Sequence, residues 1–522
     1  MLSSIPHLGR VLRASWVFAR EGVFREVDTS DMPSMARLAI QASRLIERPA
    51  NKRTGSGLPV ALERLGPSYV KLGQFLATRP DVVGPEIARE LEALQDRMAP
   101  FGMTVAEDTI RRALGQPVEA LYTSFHPPLA AASIAQVHRA TVRTPDGERT
   151  VAVKVIRPGV ARRFHRDLTT FYAVARWVER FSRFARRLRP VAVVDTLAQS
   201  VAFEMDFRLE AAALSEMAEN TRHDPGFRVP SVDWHRTAKD VLTLEWVHGT
   251  SLADRAGLEA AGHDLPALGR SLLQSFLRHA MRDGFFHADM HPGNLFVDSA
   301  GNIVAIDFGI TGRLGKKERR FLAEILYGFI ERDYHRVAEV HFTAGYVPPN
   351  QSVDEFARAL RSIGEQIHDR TAEDISMARL LTQLFEITEI FEMQTRPELI
   401  MLQKTMVVVE GVARSLDPRL DMWSTSAPVV REWITRNLGP VGIAEDAGDT
   451  LLKLGRSIQA LPDLLIRGER LVARLEEATE RGFPLAPESL EGIGRAEARR
   501  ARWGNLALWA IALMLAYWLF LS

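Results

Sequence analysis

The chain of 522 residues is long enough for two or more hydrophobic cores, and its apolar and charged fractions are those of an ordinary folded protein, not a disordered one. A formal net charge of +1 argues against a dedicated nucleic-acid binder, which carries a strongly basic balance on at least one domain. Zero cysteines exclude disulfides, thiolate metal sites and cysteine nucleophiles, and leave the chemistry to oxygen, nitrogen or a bound ion.

Near the N-terminus, Ile5, Leu8, Val11, Leu12 and Trp16 fall at helical spacing, and Arg10, Arg13 and Arg20 interrupt the apolar run that a secretory signal needs. Such a helix either packs on the domain or lies on a membrane surface. Asp31 to Ser34 predicts the start of a helix through Arg48, and Gly84-Pro85 the start of another through Arg97. Thr104 with Glu107 reads as a capping box ahead of a helix that ends near Gly115. The stretch from Ser68 to Arg79 is also helical in pattern and puts Lys71 and Gln74 on one face. Gly73 inside it costs helix stability, and close approach of another backbone would explain it.

From Phe125 the pattern changes to strand. Leu129 to Val142 reads as two strands joined by a turn of small residues, and Asp146-Gly147 closes a hairpin into Val151-Ala-Val-Lys154-Val-Ile156. A small-residue turn followed by V-A-V-K is how a kinase amino-terminal lobe begins, with the lysine binding phosphates. Alanines stand where glycines normally let backbone N–H groups approach phosphate, so the loop should be stiff and the approach hindered.

A basic stretch from Arg162 to Arg189 follows, then a single long helix is expected from Val193 to Glu219. It carries Glu204, Asp206 and Glu210, three candidate carboxylate partners for Lys154. Val241 to Gly249 is an apolar strand where a kinase hinge would lie, and a helix from Leu265 to Asp283 leads into His287-Ala-Asp289-Met-His291-Pro-Gly-Asn294. That H-x-D-x-x-x-x-N loop supplies an Asp able to take a hydroxyl proton and an Asn able to hold a metal. Ile306-Asp307-Phe308-Gly309, after two predicted strands at Leu295 to Val297 and Ile303 to Ile306, supplies the second metal ligand. Past Gly309 a helical pattern begins almost at once at Lys316, so the peptide-holding loop and A-P-E of a protein kinase are missing. The loop reads H-A-D, without the arginine that docks a phosphorylated activation loop.

Lys316 to Arg481 is helical in pattern, with interruptions expected at Pro348-Pro349, Pro397 and Pro428, and Gly482 to Gly494 reads as a linker. Leu506 to Leu521 runs without a charge after Arg495, Arg499, Arg500 and Arg502, with Trp503, Trp509, Tyr517 and Trp518 near its edges. This is the pattern of a membrane anchor, and the arginines would keep the bulk of the protein in the cytoplasm at the inner membrane. No dinucleotide-binding G-x-G-x-x-G and no His and carboxylate iron site support flavin or iron hydroxylation.

Together Lys71-Leu-Gly-Gln74, Ala130-Ala131-Ala132-Ser133-Ile134-Ala135-Gln136-Val137-His138, Val153-Lys154, Glu204-Met-Asp206, Glu245-Trp-Val247, the His287 to Asn294 loop and Asp307-Phe-Gly309 resemble the UbiB family of atypical kinase-like proteins. The resemblance covers approximately residues 20 to 420. It implies an α/β (α+β) bilobal protein-kinase-like fold, helix-rich, with an N-terminal helical extension over 1–118 and lobes over 119–248 and 249–440. Helices and a linker over 441–503 and a transmembrane helix over 504–522 would follow. Bacterial relatives often carry two spans, and only one is clear here.

In this family Lys71 and Gln74 would lie on a helix that folds across the active site, with Glu204 and Asp206 meeting it. Lys154 would pair with Glu210 and bind phosphates. The alanine-rich turn from Ala130 to His138, together with Glu245 and Val247, would line the nucleotide site. Asp289 would be the catalytic-loop Asp, and Asn294 and Asp307 would hold magnesium. ATP and Mg2+ are the implied cofactors. The implied activity is an ATPase or small-molecule kinase that supports ubiquinone synthesis by acting on or extracting polyprenylated phenol precursors. Partners would be anionic membrane lipid and other ubiquinone-biosynthesis proteins, not nucleic acid. A nucleotide-switched scaffold and an aminoglycoside-type phosphotransferase are the alternatives.

Overall fold

A computed structural model describes residues 5–25, 46–48, 57–77, 79–92, 94, 98–181, 189–367, 387, 390–393 and 397–438. The expected helix from Asp31, the linker over 482–494 and the span over 504–522 lie outside the described residues. The chain divides into a unit up to Thr435 and a second from Arg436, of which only the first three residues are described. Among the described residues no helix is long and apolar enough to cross a membrane.

The N-terminal helix Ile5–Arg20 packs rather than standing alone, with Ala14 and Val17 against Ala61 and Leu65 of the helix Gly57–Leu65. Leu12 and Trp16 face outward, 60% and 51% exposed. The helix Pro67–Ala77 carries Lys71 and Gln74 and packs on short helices at Pro80–Val83 and Pro85–Glu92. The close approach at Gly73 comes from side chains, not from backbone: a Cβ there would collide with Leu94 and Leu62.

The helix Met103–Leu114 corrects the expected capping box. Its N-cap is Gly102, in extended conformation and with no side-chain bond, and Thr104 already lies inside the first turn. The Gly102 carbonyl itself accepts from Val105 and Ala106, so the turn closes two residues ahead of the threonine. After a short helix at Val118–Leu121 the strands β1 (Ser124–Ala131), β2 (Ala135–Thr144), β3 (Gly147–Ile156) and, later, β5 (Val241–Glu245) form an antiparallel sheet in that order. The β1 register slips around Pro128, where the ring removes a ladder donor. One face of this sheet packs Ala140, Val142, Val151, Val153 and Val155 on Ala106 and Ile110.

The helix Val160–Phe181 leads to the second correction. One helix is expected from Val193 to Glu219, but the chain forms Pro190–Glu204 and Phe207–Asn220 with a break at Met205-Asp206. Asp206 is extended and caps the second helix by accepting from Arg208 N, while Phe207 N bonds Lys239 O and its ring is buried. The apolar period runs through both helices, so it hides the break.

Below lies a sheet in the order β4 (Phe227–Arg228), β9 (Ile303–Ala305), β8 (Leu295–Asp298), β6 (Gly249–Ser251), and a pair of β7 (Phe285–His287) with β10 (Thr311–Arg313). The helix Leu265–Arg278 continues as a π-helical turn over His279–Asp283 and ends on Gly284 at φ 65°. It packs closely on the helix Pro397–Leu416, and together with Lys316–Ile330 and Met422–Leu438 they enclose the main core around Leu272, Phe276, Val409 and Val430. Tyr334–Thr343 and Val353–Ile367 build a separate cluster around Tyr334 and Phe356. Pro397 opens a helix, and Pro428 does not interrupt one: it sits inside Met422–Leu438, whose buried face of Trp423, Thr425, Val429 and Val430 outweighs one lost backbone bond.

Candidate active site

Strand parity aims the lysine. Val153 and Val155 turn to the helix Met103–Leu114, so Lys154 between them emerges on the opposite face, across from Val137 of β2 and Leu242 of β5. Its Nζ donates to Glu210 Oε1 at 2.7 Å and Asp307 Oδ2 at 3.3 Å. Burial disfavours the ammonium, but Asp307 and Glu210 more than offset it and hold the Lys154 pKa above its usual range.

One cation facing two carboxylates divides its effect unequally. Burial raises the Glu210 pKa to about 7, against the pull of Lys154 and with a further push from Asp307. Burial would also raise Asp307, but Lys154, the Gly309 amide and His287 bring it down to about 2. Asp307 therefore stays anionic at neutral pH, and its side chain is 46% exposed.

The loop is held by its own polar groups. Asp289 N donates to His287 Nδ1 at 3.0 Å, and Asn294 Nδ2 donates to both Asp289 O and Oδ2 at 3.1 Å. Ile306 N donates to Asn294 O, which couples the loop to the strand before Asp307. Gly309 N donates to Asp307 Oδ1 at 3.0 Å, and His287 packs edge-on against Phe308. With the Asn294 amide nitrogen committed to Asp289, its carbonyl oxygen is the atom left to meet a cation. One anionic carboxylate and one amide oxygen fit a hard divalent ion that keeps several waters. His291 Nδ1 accepts from Gly293 N, a structural contact. Among the described residues no group of three or more His, Asp or Glu could hold a metal by itself.

The small-residue turn is pinned. Ala132 N donates to Ala135 O at 2.7 Å, Met98 N to Ala131 O, and Arg157 N to Ile134 O, while Arg157 Nη2 reaches Ala132 O at 3.1 Å. Ser133 is buried beside Ile134, and Ala130 pairs with Val137 at the mouth of the hairpin. Gln136 and His138 lie on the opposite face from Lys154. Gln136 bonds the Phe101 backbone and the His138 ring, which stacks on Phe125 and bonds His126 O, so these two side chains brace the sheet.

Lys71 Nζ lies 2.6 Å from Glu204 Oε2, which ties the helix Pro67–Ala77 to the end of Pro190–Glu204. Asp206, expected to meet the same helix, instead caps Phe207–Asn220 and holds Arg208, because the chain break has turned it away. Gln74 is half-buried on that helix. Glu245 accepts from Arg228 Nη1 and from Ser231 N, and Val247 sits in the irregular link between β5 and β6. Sequence reasoning missed Arg228, which joins Glu245 to Asp298 at the hinge, because nothing local to an arginine in a two-residue strand marks it.

Comparison with known proteins agrees with this geometry. The ABC1 atypical kinase-like domain matches residues 93–341 and the UbiB helical domain residues 360–421. A "Probable protein kinase UbiB" of Marinobacter nauticus is 38% identical over 88% of this chain and 85% of its own length. Another of that name, from Cronobacter sakazakii, is 38% identical over 82% of this chain and 79% of its own. The structure of Mycobacterium tuberculosis Rv3197 with erythromycin superposes with a TM-score of 0.51 and 25% identity, over 78% of this chain and 98% of that one. The fold is thus a helix-rich, kinase-like α/β fold with small sheets, and such a domain implies ATP binding with a metal ion. With the paired Lys154 and the Asp289 to Asp307 loop inside the matched region, the chain belongs to the UbiB family of atypical kinase-like proteins.

Proposed function

We propose that the protein is a membrane-anchored ATPase or small-molecule kinase that supports ubiquinone biosynthesis by acting on, or extracting, polyprenylated phenol precursors. The observation that supports it most is the Lys154, Glu210 and Asp307 cluster: a charged lysine held between two carboxylates, one of them anionic and half-exposed. Lys154 would attract the α- and β-phosphates, and Asn294 and Asp307 would hold Mg2+, which would neutralise charge on the nucleotide. Asp289, oriented by Asn294, would take the proton of an attacking hydroxyl or water. A helix begins at Lys316, six residues after Ile310, which leaves no room for a peptide platform and favours a small acceptor or water. Rv3197 carries erythromycin in its complex, an instance of a bulky small molecule on a related fold. The C-terminal segment 504–522 would hold the protein in the inner membrane with the kinase-like part in the cytoplasm, where anionic lipid and other ubiquinone-biosynthesis proteins would be its partners.

A scaffold switched by nucleotide is the second reading. It is favoured by the pinned small-residue turn, whose Ala132 N–H is already spent on Ala135 O. The deciding experiment measures magnesium-dependent ATP hydrolysis with and without anionic vesicles and phenolic precursor mimics, in wild type and Asp307→Asn. Catalysis predicts stimulated hydrolysis that the variant loses. Hydrolysis unchanged in Asp307→Asn removes that residue from the mechanism. A deletion strain that regains normal ubiquinone from Asp289→Asn with Asp307→Asn selects the scaffold.

A further inference from the structure

The backbone around Asp289 is fixed at four atoms. Ala288 N donates to Ile310 O at 3.1 Å, Asp289 N to His287 Nδ1, and Asp289 O accepts from Asn294 Nδ2. These three partners belong to the loop itself or to the segment just after D-F-G. The fourth does not. Ala288 O accepts from the Thr405 hydroxyl at 3.1 Å, and Thr405 lies in the middle of the helix Pro397–Leu416, inside the UbiB helical domain.

Thr405 also donates to Met401 O at 2.8 Å, four residues back. That bond alone would be an ordinary helix back-bond, as Thr109, Thr221 and Thr343 make to Val105, Met217 and Glu339. What separates Thr405 is the second acceptor. The Thr405 hydroxyl oxygen faces two carbonyl oxygens within donor distance, one of its own helix and one of the catalytic loop, and has one hydrogen to share between them, at a site only 1% exposed where water cannot substitute. Leu402, Val409 and Val412 of the same helix share the core with Phe286, Ala288 and Met290, so the helix cannot move away without unpacking the loop.

We infer that Thr405 is a positioning residue, and that through it the helical domain braces the catalytic loop and sets the aim of the Asp289 carboxylate. The role of the brace in turnover rests on the ATP chemistry proposed above; the brace itself does not. Thr405→Val keeps the shape and removes the donor, leaving Ala288 O buried and unbonded, while Thr405→Ser keeps the donor.

The test uses the full-length protein with two readouts. Hydrogen exchange of the amides over residues 287–294 should quicken about tenfold or more in Thr405→Val and return toward wild type in Thr405→Ser. ATP turnover should fall by about ten- to a hundredfold in the valine variant with nucleotide affinity within about twofold, because a displaced Asp289 affects the proton transfer and not phosphate binding. Loop exchange unchanged in Thr405→Val overturns the inference. So does faster exchange spread equally through β1 to β3, or a serine variant that restores nothing, since either marks a general packing role. Absence of hydrolysis in wild type would sink the proposed ATP chemistry, and the exchange data would still decide the brace.

Discussion

At the scale of single residues, the two carboxylates beside Lys154 behave oppositely. Asp307 is held down to about 2, whereas burial lifts Glu210 from 4.5 to about 7. Between those last two values the folded protein retains a proton on Glu210 that the unfolded chain releases. This group's contribution to stability therefore falls as pH rises through that window and is constant above it. Glu210→Gln removes the titration. The stability of wild type relative to the variant, from urea unfolding, should decline from about pH 4.5 to about pH 7 and then level off. A difference that stays flat across that range would show that Glu210 ionises normally beside Lys154. Asp307 has the reverse sign: its contribution is present above its usual pKa and is lost only as pH falls toward about 2.

At the scale of elements, the break at Met205-Asp206 decides which acid serves Lys154. Three acidic residues within seven positions were all candidates from the sequence, and a continuous helix would have put Asp206 and Glu210 on one face. The break leaves Glu204 at the end of one helix against Lys71, makes Asp206 a cap, and starts a new helix whose first turn presents Glu210. Asp206→Ala should lower stability by about 1 kcal/mol, and Asp206→Asn, which can still cap, by less. Equal thermal midpoints for wild type and the alanine variant would deny the cap any role.

The same break explains what was legible in the chain. Lys154, the Asp289 loop and Asp307 were readable because each sits in a short local pattern whose chemistry needs those residue types at that spacing. The pairing of Lys154 with Glu210 joins residues 56 positions apart, so local spacing leaves three acids open; the family resemblance names Glu210, and the fold places it against the lysine. The family resemblance groups Gln136 and His138 with the phosphate turn, as the end of the Ala130 to His138 motif. Their parity with Ala140 and Val142, which are wholly buried against Ile110, was the signal that they face the other way. The capping box failed for a related reason: a backbone carbonyl, invisible in side-chain patterns, closed the turn first.

At the scale of the whole molecule, the question is what would hold the protein to a membrane. Two segments are candidates, and they differ physically. The N-terminal helix is already packed through Ala14 and Val17 and turns Leu12, Arg13 and Trp16 outward, so any contact it makes with lipid is shallow and partly electrostatic. The segment 504–522 carries no charge after Leu506 and follows four arginines, so its contact would be hydrophobic and deep. Salt separates the two, because screening at about 1 M weakens the first and leaves the second. The full chain should therefore stay with the membrane fraction in high salt, and removal of residues 504–522 should release it to the supernatant. If the shortened protein still sediments with membranes in high salt, the anchor lies elsewhere. If it sediments only in low salt, the N-terminal face is a second, electrostatic contact, which Arg13→Glu should abolish. The proposed nucleotide site does not itself include either segment, since Lys154, Glu210, Asn294 and Asp307 all lie elsewhere in the unit that ends at Thr435.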